Sequence, residues 1–95
     1  MGKAKTERPK HLAKKLKEIR LQLGLTQETM ADALRLQGVM AYTGYIGVYE
    51  TGHRTPGLLT VFAYARLAGI SSDLLLDDKA DLPARLPAKR PSVSK

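Results

Sequence analysis

Residues 10–34 read KHLAKKLKEIRLQLGLTQETMADAL, and this stretch decides the fold. Leu12, Leu16, Ile19 and Leu23 recur at spacings of four, three and four, which sets them on one face of an amphipathic helix over residues 10–23. Lys14, Lys15, Lys17 and Glu18 fall on the opposite face. Pro9 suits the first helical position and Gly24 supplies a stop. Thr26 then caps a second helix, with Glu28 in the first turn where negative charge is favoured, and with Met30, Ala31, Ala33 and Leu34 as its buried side. A basic amphipathic helix can also lie on a membrane surface, but this stripe has no Trp or Phe and further helices follow at once. Packing into a core is the better reading.

Working outward, the second helix ends near Gly38, and residues 35–42, RLQGVMAY, lead to a third short helix over Thr43–Glu50, TGYIGVYE. Gly44 and Gly47 each cost that helix about 1 kcal/mol relative to alanine, so it depends on packing through Ile46 and Tyr49. The β-formers in VMAYTGYIGVY make a hairpin through residues 39–49 the alternative. Thr51-Gly52 closes the third helix. Thr55 as cap and Pro56 as first helical residue open a fourth, whose apolar side is Leu58, Val61, Phe62, Ala65 and Leu67, up to Gly69. Ser71 or Ser72 with Asp73 starts one further turn or two through Leu74, Leu75 and Leu76. The expectation is an all-α chain of five helices.

Ninety-five residues allow one small domain. The absence of cysteine removes disulfides, thiol catalysis and Cys-ligated metals. No apolar run approaches the roughly 18 residues of a membrane span, and the basic start lacks the apolar stretch of a secretory signal. The net charge of +7 predicts attraction to an anionic partner. That charge is unevenly placed: residues 1–20 carry eight basic and two acidic groups and residues 79–95 five and one, whereas residues 21–78 are slightly acidic. The chain therefore divides into a basic arm (1–9), a helical domain (10–78) and an extended, Pro-rich basic tail (79–95) containing Pro83, Pro87 and Pro91. Leu82 and Leu86 are the two tail residues able to dock, on the domain or on a second subunit. His11 and His53 have no companions at metal-ligand spacing, Asp77, Asp78 and Asp81 read as a solvated helix end, and no nucleophile and base or phosphate-cradling loop is visible. No metal, cofactor or enzymatic activity is expected.

The ordered set Leu16-Lys17-Glu18-Ile19-Arg20, Gly24-Leu25-Thr26-Gln27-Glu28, Met30-Ala31-Asp32-Ala33-Leu34, Ile46, Tyr49-Glu50-Thr51-Gly52-His53-Arg54-Thr55-Pro56 and Ala65-Arg66-Leu67-Ala68-Gly69-Ile70-Ser71 resembles the Cro/C1-type (XRE-like) helix-turn-helix family of bacterial and phage regulators. The resemblance spans about residues 12–76 and implies a compact, five-helix, lambda-repressor-like DNA-binding domain. On its own chemistry, the helix start at Thr26 can receive a phosphate oxygen, and the exposed amide of Gln27 can donate to phosphate. By the resemblance Gln27 also braces the reading helix, the reading positions are Thr43, Gly44, Tyr45, Gly47 and Val48, Tyr49 points inward and Glu50 is structural. His53 and Arg54 follow where side chains can return to the phosphate backbone, and Lys3, Lys5, Arg8 and Lys10 form an arm able to gather phosphate.

Two departures from the family pattern stand out. The connection after Leu34 is roughly five residues longer than the usual turn. The reading helix has no Arg, Lys, Asn or Gln, leaving Thr43 and Tyr45 as polar candidates, Val48 for a thymine methyl, and Arg35 or Gln37 in the loop as substitutes. Its two glycines read either as close approach of backbone to DNA or as a degenerate reading surface. The leading expectation is a sequence-specific transcriptional regulator on double-stranded DNA, acting as a homodimer on a palindromic operator in the cytoplasm and on the nucleoid. The alternative is an antitoxin-like or accessory module that binds a protein partner and holds DNA weakly or without specificity.

Overall fold

The computed structural model describes residues 10–87. The face predicted from Leu12, Leu16, Ile19 and Leu23 forms helix α1, Leu12–Gln22, and all four side chains are buried. Helix α2, Gln27–Leu36, opens on Thr26 with a reciprocal cap: the Thr29 amide donates to Thr26 Oγ1 at 3.1 Å and the Thr26 amide to Thr29 Oγ1 at 2.9 Å. Thr29 completes this cap, and Glu28 stands exposed in the first turn, as expected. Helix α3, Thr43–Thr51, follows where a hairpin was the alternative, and no strand occurs among the described residues.

Helix α4, Leu58–Ala68, begins later than expected. Gly57, in extended backbone, precedes it, and Pro56 is buried in the turn instead of opening the helix. The apolar side shifts accordingly. Val61, Tyr64, Ala65 and Ala68 are buried at helical spacing, Phe62 and Leu67 are half-buried, and Leu58 is exposed in the turn ahead of the stripe. Helix α5, Asp73–Leu76, is a single turn whose Leu75 is buried. The fold is thus compact and all-helical. α3 packs against both α1 and α2, α4 lies on α1 and α2, and α5 lies on α1, so α1 is shared by α3, α4 and α5. Each large aliphatic chain in this core contributes about 1.5–3 kcal/mol by leaving water.

Two expectations about charge need correcting. Lys15, read as solvent-facing, is 7% exposed, and its Nζ donates to the carbonyls of Leu74, Ala80 and Asp77 at 2.7, 2.7 and 3.0 Å. Its position three residues after Leu12 and four before Ile19 puts it on the edge of the apolar stripe, where an ammonium must find acceptors. Asp78, read as part of a solvated helix end, accepts from the backbone amides of Lys10 and His11 at 2.8 and 3.1 Å. His11 caps α1 without a side-chain bond, so Asp78 supplies the acceptor that the local sequence lacks. The two amides hold the Asp78 carboxyl below its ordinary pKa.

The first residues of the segment expected to be an extended tail return to the domain. Leu86 is buried, Leu82 packs against the core, and the Leu86 amide donates to Gln22 Oε1 at 3.0 Å. Residues 78–86 therefore run from the start of α1 to its end.

Candidate nucleic-acid interface

The end of α1, the α2 start and α3 meet around one buried carboxylate. Arg20 Nε and Nη2 donate to Glu50 Oε2 and Oε1 at 2.7 and 3.0 Å, and Arg20 Nη1 donates to the Leu25 carbonyl at 3.0 Å. Gln27 Nε2 donates to the same Glu50 Oε1 at 3.2 Å. One side chain of α3 thereby ties the end of α1, the α1–α2 turn and the first residue of α2. The Arg20 and Glu50 side chains are only 11% and 4% exposed, so the pair is largely desolvated, and its hydrogen bonds raise the Arg20 pKa further above its ordinary value. Beneath the pair, Tyr64 is fully buried and its hydroxyl has no hydrogen-bond partner; burial, then Glu50 and Tyr49, push its ionisation well above the usual phenol range.

Ile46 and Tyr49 turn α3 inward, and the burial of Tyr49 raises its pKa. The opposite face carries Thr43, Gly44, Tyr45 and Val48, all exposed, with Tyr42 just before them. Tyr42, Tyr45 and Val48 are 51%, 40% and 36% exposed. The rings of Tyr42 and Tyr45 stand nearly perpendicular with centroids 5.4 Å apart, and Tyr49 lies 6.3 Å beyond Tyr45, so the outer aromatics rest on an inner one. Gly47 is half-buried where α2 and α3 meet: a Cβ there would lie 3.7 Å from Gln27 Oε1. Among the described residues the amides of Gln27 and Glu28 at the α2 start take no partner.

Gly52 ends α3 with φ 81°, a left-handed turn in which the Gly52 and His53 amides return to the Tyr49 and Val48 carbonyls. This turn exposes His53 and Arg54. His53 Nδ1 lies 2.7 Å from Thr51 Oγ1. A Cβ on Gly52 would sit 3.8 Å from that of Ala13, so this turn lies against the first turn of α1. Lys3, Lys5 and Arg8 lie outside the described residues.

The long connection before α3 is pinned. Arg35 Nη1 donates to the Ala41 carbonyl at 2.6 Å, its Nη2 pairs with Asp32, and its guanidinium stands 5.8 Å from the centre of the Tyr42 ring. Gln37 Oε1 accepts from Arg66 Nε at 2.9 Å. Arg35, which falls in the last turn of α2 and not in the connection, and Gln37, the two residues considered as substitute readers, are therefore both engaged within the chain.

The geometry brings Thr26, Gln27, Gly47 and Glu50 together and lays Thr43, Gly44, Tyr45 and Val48 along one exposed face. Reading the sequence assigned Arg20 no site role, although it lies just past the Leu16/Ile19 stripe and needs a partner there. An open cleft of about 340 Å³ on the other side of α1, lined by His11, Lys14, Lys15, Glu18, Asp78, Asp81 and Leu82, has charges of both signs. Among the described residues no cluster of three His, Cys, Asp or Glu is placed to hold a metal, and no helix is long and apolar enough to cross a membrane. Compared with protein-family models, curated proteins and solved structures, the chain matches none.

Proposed function

We propose that this chain is a sequence-specific DNA-binding regulator of the Cro/C1 type, in which α2 and α3 act as a lambda-repressor-like helix-turn-helix. The observation that carries this reading is the bond from Gln27 to Glu50: it joins a helix start with free amides, suited to a phosphate, to a second helix whose outer face is exposed. In this reading α3 enters the major groove by Thr43, Gly44, Tyr45, Gly47 and Val48. The amides after Thr26, the remaining amide hydrogen of Gln27, His53 and Arg54 hold phosphates, and Lys10 with the arm residues Lys3, Lys5 and Arg8 adds salt-sensitive affinity. A homodimer would place two such helices about 34–36 Å apart on a palindromic operator. The arrangement calls for no cofactor and no catalysis.

Selection of bound fragments from random duplex DNA tests this directly, with a palindrome as the expected product. Arg54→Ala should then weaken binding at every sequence and flatten the slope of log K against log salt by about one unit. An unaltered slope would remove Arg54 from the contact. The accessory reading draws on exposed Leu36, Met40, Leu58 and Leu59, apolar chains that a protein partner would cover. Salt-sensitive binding without a motif would favour it.

A further inference from the structure

Resting on the DNA-binding reading above, we infer that the reading face of α3 selects A·T base pairs by touching thymine methyl groups, and does not read guanine or adenine through hydrogen bonds.

Guanine is read in the major groove by Arg or Lys and adenine by Asn or Gln. The chain has no asparagine, and α3 has neither Arg, Lys nor Gln. Every glutamine is engaged elsewhere. Gln22 donates to Glu18 and accepts from the Leu86 amide, Gln27 donates to Glu50, and Gln37 accepts from Arg66. The guanidiniums nearest the start of α2 and of α3 are engaged within the chain, Arg20 buried on Glu50 and Leu25, Arg35 at the surface but held by Asp32, the Ala41 carbonyl and the Tyr42 ring. Arg54 lies beyond the C-terminal cap at Gly52, at the end of α3 away from Thr43. What α3 turns outward is the methyl groups of Val48 and Thr43 and the rings of Tyr42 and Tyr45. The base-edge feature that apolar groups recognise in the major groove is the C5-methyl of thymine.

The glycines fit this mode of contact. Neither Gly44 nor Gly47 has a positive φ; a Cβ at Gly44 would meet nothing within 4 Å, and one at Gly47 would make ordinary contact with Gln27. The chain itself therefore has no need of glycine at either position, although each weakens the helix. A side chain as short as Val48 reaches a methyl group, at about 4 Å, only if the helix backbone comes close to the bases. Missing side chains at positions 44 and 47 let it come close, and the Tyr hydroxyls remain available to phosphate oxygens.

The experiment uses the full chain and the duplex enriched from random DNA. Deoxyuridine replaces each thymine in turn, which removes the methyl and preserves base pairing. At each contacted thymine affinity should fall about fourfold, the effect of one buried methyl. Val48→Ala, at an exposed position, should bind more weakly and should lose the deoxyuridine penalty at one of those positions, the non-additivity that marks direct contact. An enriched motif of G·C pairs, or a motif indifferent to deoxyuridine, would overturn the inference and leave the DNA reading standing. Binding without any motif would overturn the inference together with the sequence-specific reading, in favour of the accessory one. Failure to bind any duplex removes both.

Discussion

Helices α1 and α3 are of similar length, and the chain treats them in opposite ways. α1 is anchored at both ends and along one flank: Asp78 binds the amides at its start, Lys15 is clasped by three carbonyls, and Gln22 near its end accepts from the returning Leu86 amide. α3 has no side-chain cap at its start, contains two glycines, and is fixed only from behind by Ile46, Tyr49 and Glu50. Apart from the ring contacts of Tyr45 with Tyr42 and Tyr49, its outer face is open to solvent. The difference separates scaffold from surface. α1 holds the bundle together, and α3 is held so that half of it stays available.

The sharpest way to break this arrangement is to remove the one charge that fixes α3. Glu50→Ala leaves the guanidinium of Arg20 largely buried without its carboxylate and frees Gln27, and unfolding free energy should fall by about 3–5 kcal/mol. Urea denaturation measures it. Because Arg20→Ala removes the same pair, the double variant should be much less destabilised than the sum of the two single ones. Additive losses would mean that the pair does not hold α3.

On the α1 side the largest loss should come from Lys15→Met, which keeps the stem but strips three carbonyls of their donor. A charged hydrogen-bond donor in this setting is worth about 1.5–3 kcal/mol, so a fall of about 2–3 kcal/mol is expected. The change should also release the segment stapled to α1. Trypsin should then cut after Lys79 and Arg85 faster than in the parent chain, whereas equal cleavage would show that Leu82 and Leu86 hold the segment unaided.

A smaller effect, dependent on pH, belongs to Asp78. Its carboxyl titrates below the ordinary value of 3.8 because the Lys10 and His11 amides bond to the charged form. A group whose pKa is lowered by folding stabilises the fold fully above its unfolded pKa, and that stabilisation is lost as pH falls through the folded value. The denaturation midpoint of Asp78→Asn should therefore lie below that of the parent by a constant amount above about pH 5, and the gap should narrow below about pH 4 and close only as pH falls through the folded value. A gap that persists in acid would mean that the cap acts by shape alone.

Much of this scaffold was legible in the sequence and much of the electrostatics was not, for one physical reason. Apolar periodicity reports which face is buried, so α1, α2 and α3 could be placed from Leu12, Leu16, Ile19, Met30, Leu34, Ile46 and Tyr49. It does not report what a charged side chain does at the edge of that face. Lys15 lies on the border of the α1 stripe and was assigned to solvent, because its acceptors, Leu74, Asp77 and Ala80, are about sixty residues away. The same holds for Asp78, because the amides it binds precede it by 67 and 68 residues. The start of α4 slipped because Thr55-Pro56 has the form of a helix opening, and only the burial of Pro56 shows that it serves the turn. At the candidate interface, residue types and spacing named the outer positions of α3, but the Arg20–Glu50–Gln27 network that aims them is a contact between three elements.

The smallest effect should have the opposite sign. If the outer half of α3 is kept for a partner, its composition need not be the one that folds best. Gly47→Ala should raise stability by about 1 kcal/mol, since the added Cβ meets only the Gln27 side chain, at 3.7 Å. Gly44→Ala should raise it by less, because position 44 lies in the first turn, where propensity counts for little. An isolated chain thus gains from both substitutions. Under the proposed DNA contact each should lower affinity for the selected duplex, because a methyl group now stands where the backbone approaches. Higher stability with weaker binding would show that the glycines serve a surface outside the chain. Higher stability with unchanged binding would show that α3 never comes that close, and the distinction between scaffold and surface would then rest on Tyr45 and Val48 alone.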